Sequence, residues 1–488
     1  MKQFEMKGSK FVMGVTDIPY MLMRWAVPAL WFVAACIVVF LVSYTLIYQK
    51  LLHGVKKISW IKFSLAVLLL GYLFMVFSLT ILNRGTSADK EINLNLTSSY
   101  LDVWNTWSNT SFLLLVYNIA MLFPLGILLP LVSPKFQSLK AILCISLSFT
   151  LGIETFQWIT HRGIFELDDL VHNTLGALAG YLIMNAILDI TYAKQINKRS
   201  LLSAAIIPLF FVCLFGGARV VYHAQEFGNM GIRPAIGTNM SNVTVSSQIT
   251  LSPNSSMLPI YYDENANQPE LALKIISKLQ HSIPLPLVQS SGRDGDNLQY
   301  SFGKTKDSAY YLNYFLRTGT WTMYDDIADH NQKRTDETTG HNVEQILKDN
   351  AFIPSDADLK LDPNGTFRWD APSVEPSTLS KDFSHGVVMV DVESSGQISS
   401  LMYGVFKNKY IRQVQVIAPA AALEKIKKGE FDSYNTRTPF TPGTQIKITE
   451  MNIIYLYDSK GYYQPVYQFE GSVNDEVGKF SVSIPALA

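Results

Sequence analysis

Residues 154–173 hold an unusual density of groups able to do chemistry for so apolar a neighbourhood. Glu154, Gln157 and His161 stand at i, i+3 and i+7, which puts them on one face of a helix. Arg162 follows, then Asp168 and Asp169, with Asn173 one turn beyond. Upstream, Asn118 lies in another apolar run and shares a helical face with Gly126, eight residues on. Carboxylates can bind cations or move protons, amides can orient a ligand, and a guanidinium can neutralise a carboxylate or hold an anionic head group. The candidate polar pocket is therefore Asn118, Glu154, Gln157, Arg162, Asp168, Asp169 and Asn173.

The elements that must position these groups are membrane helices. Of 488 residues, 48% are hydrophobic and only 16% charged, with 40 Lys+Arg against 40 Asp+Glu. That balance excludes a disordered or strongly basic chain and gives no electrostatic argument for nucleic acid. The charge is unevenly placed, since only 27 of the 80 charged residues precede residue 223. A helix crossing the hydrocarbon core needs roughly 20 apolar residues. Six stretches meet or approach that length: Trp25 to Tyr48, Ile61 to Leu82, Ser111 to Val132, Leu139 to Trp158, Leu170 to Leu188 and Leu201 to Val221. The first is too long for a signal peptide and no small-residue cleavage site follows it.

Positively charged loops stay cytoplasmic. Lys50, Lys56 and Lys57 follow span one, Lys135 span three, and Lys194, Lys198 and Arg199 span five. Acidic residues (Asp89, Glu91, Asp102; Glu166, Asp168, Asp169) follow spans two and four, which would face outside together with everything after span six. Six spans then put the N-terminus outside despite Lys2, Lys7, Lys10 and Arg24. An interfacial or re-entrant segment at residues 11–23 would alter that count, so the side of the N-terminus stays open. With this orientation Asn118, Glu154, Gln157, Asp169 and Asn173 all fall at one level in the outer part of the membrane.

Ionisable groups inside a bilayer are costly, by roughly 2.5–3.5 kcal/mol at mid-span, and point to function. The same residues also suit a structural arrangement, with Glu154 paired to Arg162, Asp168 capping span five, and the two asparagines bonding across helix interfaces. Gly176 and Gly180 form a small-xxx-small pattern, which with Gly126 suits close helix packing.

Asn118 with Phe123-Pro124-Leu125-Gly126, then Glu154-Thr155-Phe156-Gln157, Arg162, and Asp168-Asp169-Leu170-Val171-His172-Asn173-Thr174-Leu175-Gly176 with Gly180 resemble the signature of VanZ-like membrane proteins over roughly residues 60–190. The resemblance implies a bacterial plasma-membrane protein, and its founding members are associated with resistance to teicoplanin-type glycopeptides. It brings no established reaction. His172 replaces a commonly aliphatic residue, and the long C-terminal extension departs from the pattern.

The remainder reads as an N-terminal segment (1–24), the transmembrane domain (25–222), a Gly-, Pro-, Asn- and Ser-rich linker (223–259) and an extracytoplasmic α+β domain (260–488). Helices are expected at Pro269 through Gln280 and from Pro419 to Lys428, the latter stopped by Gly429. Strands are expected at Gly386–Glu393, Ile398–Phe406, Tyr410–Ile417, Gln445–Tyr457, Tyr463–Phe469 and Lys479–Ile484, in an antiparallel sheet. Asp294-Gly295-Asp296 and Asp362-Pro363-Asn364-Gly365 read as turns. The helix end at Ala422–Gly429 and the tyrosines from Tyr455 to Tyr467 resemble sensor-regulator domains of the YycH/YycI type and PepSY-like modules, which implies protein or peptide binding without catalysis.

Cys36, Cys144 and Cys213 lie far apart in apolar runs and suggest neither disulfides nor a thiolate site. Asp325, Asp326, Asp329 and His330 lack an EF-hand's glycine and terminal glutamate. No nucleotide, zinc or nucleophile motif occurs, so no cofactor or metal is expected. Two functions follow as expectations. Either the pocket binds or modifies a lipid-linked or cell-wall component amid membrane lipids, or the protein is a membrane-anchored sensor whose outer domain binds a protein or peptide.

Overall fold

The computed structural model describes residues 17–55, 57–82, 84–85, 92–193, 197–232, 240–283, 285, 288–302, 310–325, 333–353, 357–431, 440 and 442–487. The chain divides into two compact units, one ending at Ala224 and one beginning at Gln225, with Trp104–Ser108 grouped with the second.

In the first unit the helices are α1 (Asp17–Val42), α2 (Trp60–Phe77), α3 (Ser98–Thr106), α4 (Asn109–Met121), α5 (Phe123–Val132), α6 (Leu139–Ile159), α7 (Leu167–Ala193) and α8 (Lys198–Ala224). π-helical turns at Ser43–Leu51 and Ser78–Leu82 extend α1 and α2, and a two-residue parallel bridge joins β1 (Ile92–Asn93) to β2 (Phe165–Glu166). Six spans are long and apolar enough to cross a membrane, at Met23–Leu51, Trp60–Leu82, Asn109–Val132, Leu139–Ile159, Leu167–Tyr192 and Lys198–Ala224. Each coincides with an expected span. Span three is broken between α4 and α5, where Pro124 has no amide hydrogen and its ring crowds the preceding turn. The Tyr72 hydroxyl donates to the Met121 carbonyl at this break.

Helix α7 is the most buried span and packs against α4, α5, α6 and α8. Its approach to α4 and α5 is a contact between backbones. A methyl group on Gly176 would lie 1.7 Å from the Ile119 carbonyl oxygen, one on Gly180 2.1 Å from that of Phe123, and one on Gly126 1.9 Å from that of Ala177. Ile119 and Phe123 are four residues apart, as are Gly176 and Gly180, so the helices run in the same direction with turns in register. Val76, Leu122, Leu125, Leu129, Ile142, Ile153, Ala177 and Tyr181 fill the surrounding core.

The second unit is α+β. After α8 come β3 (Thr244–Ser247), β4 (Ser256–Asp263), α9 (Glu270–Ser282), β5 (Val288–Asp294), β6 (Asn297–Phe302), β7 (Tyr310–Phe315), β8 (Trp321–Asp325), α10 (Glu337–Asp349), β9 (Asp358–Leu361), β10 (Phe367–Asp370), β11 (Phe383–Val392), β12 (Ile398–Val416), α11 (Pro419–Lys427), β13 (Gln445–Tyr457), β14 (Tyr462–Val473) and β15 (Glu476–Pro485). The main path of the sheet is β3-β13-β14-β4-β12-β8-β7-β6-β5. Strand β15 lies on β14, and β9-β10-β11 reaches β12 through β11. All pairs are antiparallel except β13 with β3.

Two hydrophobic cores lie along this sheet. Helices α9 and α10 cover the first through Ala272, Ile276, Leu279, Val343 and Leu347, against Trp321, Trp369 and Val390. Helix α11 covers the second through Ala422, Leu423 and Ile426, against Phe469, Phe480 and Ile484. Helix α11 opens on Pro419 and closes with Gly429 at φ +77°, a conformation that a side chain would strain. Strand β12 serves both cores, with Leu401, Tyr403 and Val405 in the first and Val416 in the second.

Several sequence expectations change here. Strands expected at Ile398–Phe406 and Tyr410–Ile417 are one strand. The polar Lys407-Asn408-Lys409 keeps the two-residue alternation, since both lysines are exposed and Asn408 is buried, and a bulge near Tyr410 absorbs the irregularity. The stretch expected as a tether contains β3 and the start of β4. Strands β5 to β10 and helix α10 were not expected; the Ser and Gly of β5 and the Gly and Asn of α10 resemble loop composition, whereas the aromatic Tyr310–Phe315 and Trp321–Asp325 carry a legible strand signal. The Gly295 and Gly365 turns have φ of +56° and +82°. The tyrosines of β13 and β14 stack within the sheet, with Tyr457 and Tyr463 rings 4.3 Å apart and His385 5.2 Å from Tyr463. Asp326, Asp329 and His330 lie outside the described residues, as do Lys56, Asp89, Glu91 and Lys194.

Two outcomes follow. Gly176→Leu should lower the stability of the purified protein by about 3 kcal/mol or more, because a carbonyl occupies the added volume. Gly152→Ala, with nothing within 4 Å, should leave it unchanged or raise it by about 0.5–1 kcal/mol. Thermal unfolding in detergent reads both, and equal effects would contradict the close crossing. In the second unit Asp263 is fully buried, and burial pushes its carboxyl up to about 6. An acid with a raised folded-state pKa binds more protons when folded, so stability should fall as pH rises from about 4 to about 6. Hydrogen exchange of β4 and β12 in the full-length protein should follow that fall, and Asp263→Asn should make its slope shallower.

Candidate functional site

The polar residues collect where spans two, four and five end or begin. Span two ends in the π-helical turn Ser78–Leu82, and a helix C-terminus leaves carbonyls without internal partners. Two of the candidate residues take them. Gln157 Nε2 donates to the Thr80 carbonyl at 2.9 Å, and Arg162 Nη1 donates to those of Ile81 at 2.8 Å and Arg84 at 3.1 Å. Positive charge at a helix C-terminus is also favoured by the helix dipole. Arg84 donates back to Gln157 Oε1 at 3.4 Å.

Glu154 lies one turn before Gln157 on α6 and is 3% exposed. Its Oε2 accepts from the Glu166 amide at 3.2 Å, which ties α6 to the short strand preceding α7. The structural arrangement expected for Arg162 thus differs in partner: its Nη1 meets main-chain carbonyls, while Glu154 meets an amide.

Asp168 and Asp169 diverge. Asp168 Oδ2 accepts from Ser98 Oγ at 2.9 Å, Ser99 N at 3.0 Å and Ser99 Oγ at 2.6 Å. It caps the N-terminus of α3, a neighbouring helix, where a sequence reading placed it as a cap of its own. Asp169 Oδ1 accepts from Asn118 Nδ2 at 2.5 Å, joining α7 to α4. Asn173 Nδ2 donates to Thr150 Oγ1 at 2.9 Å, joining α7 to α6. Asp168, Asp169 and Asn173 are all buried.

The carboxyl groups of Glu154, Glu166, Asp168 and Asp169 gather here, with the Arg84 guanidinium near Glu166. On the connecting segment, burial and then the Asp168 charge push the Glu166 carboxyl up. Burial and the same charge raise the Tyr100 phenol. No three His, Cys, Asp or Glu side chains among the described residues are placed to share a metal ion.

Sequence reasoning had not singled out Thr80, Arg84, Ser98, Ser99, Tyr100 or Thr150 as parts of the site. Thr150 was legible as one turn before Glu154 on the same face, and Arg84 as a cation just past an apolar run. Ser98 and Ser99 carried no comparable signal, because their role depends on a carboxylate about seventy residues away.

Residues 63–188 match the VanZ/LLP1 family model. That stretch contains every residue of the cluster. No curated protein matches the chain. Among solved structures, it is similar to an uncharacterized protein from Eubacterium rectale, at 10% identity over 53% of this chain and 92% of that one, with a TM-score of 0.23. It is also similar to the YpeB C-terminal domain of Bacillus megaterium, at 13% identity over 45% and 98%, with a TM-score of 0.20. The chain is a multi-pass membrane protein with a VanZ-like region.

Because one carboxylate oxygen takes three donors from α3, Asp168→Ala should free that helix. Its loss removes a charge-assisted set of bonds and leaves the Ser99 amide without its partner, at a cost of about 1–3 kcal/mol. Hydrogen exchange at Ser99 and Tyr100 should accelerate while α6 and α7 stay protected; unchanged exchange would show that the tether does not hold α3.

Proposed function

We propose that this is a bacterial cell-envelope protein whose VanZ-like region binds or modifies an envelope component at the polar cluster, and so contributes to tolerance of teicoplanin-type glycopeptides or membrane-active peptides. One observation carries the reading. Glu154, Asp168 and Asp169, none more than 8% exposed, lie within helices long enough to cross a bilayer, although burial there strongly disfavours charge. Glu154 and Asp169 are the ligand or acid/base groups, each held by one neighbour, the Glu166 amide and the Asn118 side chain. Arg162 acts through the end of span two, and Arg84 is the cation nearest the carboxylates. The lysine-bearing loops support an orientation in which the cluster opens outward and the α+β unit is extracytoplasmic.

A second reading makes the α+β unit a binding module for a protein or peptide. A cleft of about 290 Å³ supports it, lined by Glu264, Asp382, Phe383, Lys407, Asn408 and Lys409.

The test is complementation of a deletion strain. Glu154→Gln and Asp169→Asn, at wild-type protein levels, should leave glycopeptide or peptide sensitivity near that of the deletion. Full tolerance in both variants would remove the pocket reading. Full restoration by residues 1–224 alone would remove the binding-module reading.

A further inference from the structure

Within the first two turns of α7, five buried side-chain polar atoms have no hydrogen-bond partner: Asp168 Oδ1, both ring nitrogens of His172, Asn173 Oδ1 and Thr174 Oγ1. Asp168 and His172 are 0% exposed and Asn173 is 1% exposed. Buried polar groups in native proteins are nearly always paired, since each bare one costs about 1–3 kcal/mol. Asp168 and His172 share the face toward Tyr100, whereas Asn173 turns to Thr150 of α6, so three of the five atoms, Asp168 Oδ1 and the two imidazole nitrogens, fall together as a place shaped for hydrogen bonding.

The atoms also say what they would bond. Asp168 Oδ1 and Asn173 Oδ1 can only accept while the acid is ionised, and a neutral imidazole offers one accepting nitrogen. Asp168 and His172 stand at i and i+4 on one face, and the Tyr100 ring closes that face edge-on to His172 at 5.0 Å. The Asp168 carboxylate gives this face an acidic group with one oxygen still lacking a donor. A fitting ligand donates several hydrogen bonds, carries positive charge and is small. A protonated primary amine has three donors and no acceptor. A quaternary ammonium has no N–H, and no three ligating side chains among the described residues converge on a metal ion.

We propose that the Asp168–His172 face of α7 binds the protonated primary amine of an envelope component beneath α3. This rests on the pocket reading above and names its ligand class. The Asp168 carboxylate has two duties, with Oδ2 holding α3 and Oδ1 facing the amine, so ligand binding and the seating of α3 are linked through one group.

The amine can belong to a lipid head group or to a soluble molecule. The test uses the full-length protein in phosphatidylglycerol nanodiscs containing equal phosphatidylethanolamine and phosphatidylcholine, followed by native mass spectrometry. A parallel titration uses free ethanolamine. Retention of the ethanolamine lipid at least about tenfold over the choline lipid, a ratio worth about 1.4 kcal/mol, identifies a lipid amine. Saturable binding of free ethanolamine without lipid preference identifies a soluble amine. Asp168→Asn should abolish whichever signal is seen, while its remaining carbonyl oxygen keeps α3 protected from exchange; His172→Leu should weaken it without touching that tether. Equal lipid retention with no free-amine binding overturns the proposal, as does an undiminished signal in Asp168→Asn. If amine binding is absent while Glu154→Gln and Asp169→Asn still lose tolerance, the ligand class falls and the pocket reading survives.

Discussion

The backbone contact of α7 with α4 and α5 is the constraint on which the membrane unit depends. Carbonyls of Ile119 and Phe123 rest where side chains of residues 176 and 180 would stand, and the Ala177 carbonyl rests against Gly126. At that separation short side chains can bridge the helices, and the Asn118 amide reaches Asp169 directly. Hydrophobic attraction offers little to hold helices together among lipid tails, so close packing and such polar bridges must do it. The glycines thus set the distances that make the carboxylate cluster a connected structure.

Around this crossing, the cluster completes helices that would otherwise end badly. Gln157 and Arg162 take up carbonyls at the end of span two, and Asp168 takes up donors at the start of α3. The groups that carry the chemistry are therefore also the groups that satisfy helix ends inside or beside the membrane. That double use explains why most are buried with partners, and it sets the unpaired atoms of His172, Asp168 and Asn173 apart.

Much of this was legible in the residues. Apolar length located all six spans, and the glycine spacing marked the face at which helices meet. Asn118, Glu154, Asp169 and Asn173 stood out because polar groups in apolar runs are expensive. Their partners were less legible. Arg162 reads naturally as a counter-ion, yet the turn ending span two offers its guanidinium carbonyls, which no local pattern announces. In the α+β unit, Gln445–Tyr457 matched its strand because its β-branched and aromatic residues dominate. Val288–Asp294 did not, because an edge strand tolerates the serines and glycine that elsewhere signal a loop. Lys407 to Lys409 separated two expected strands for a related reason: the alternation of the lysines with a buried asparagine is visible only once the neighbouring strand is known.

Strand β12 has a structural consequence. Nineteen residues of continuous strand span roughly 60 Å, and its two ends belong to different hydrophobic cores. Strand β11 lines it as far as Asn408 and β4 from Asn408 onward, so the change of partner falls at one buried residue and the two cores are joined through a single shared backbone.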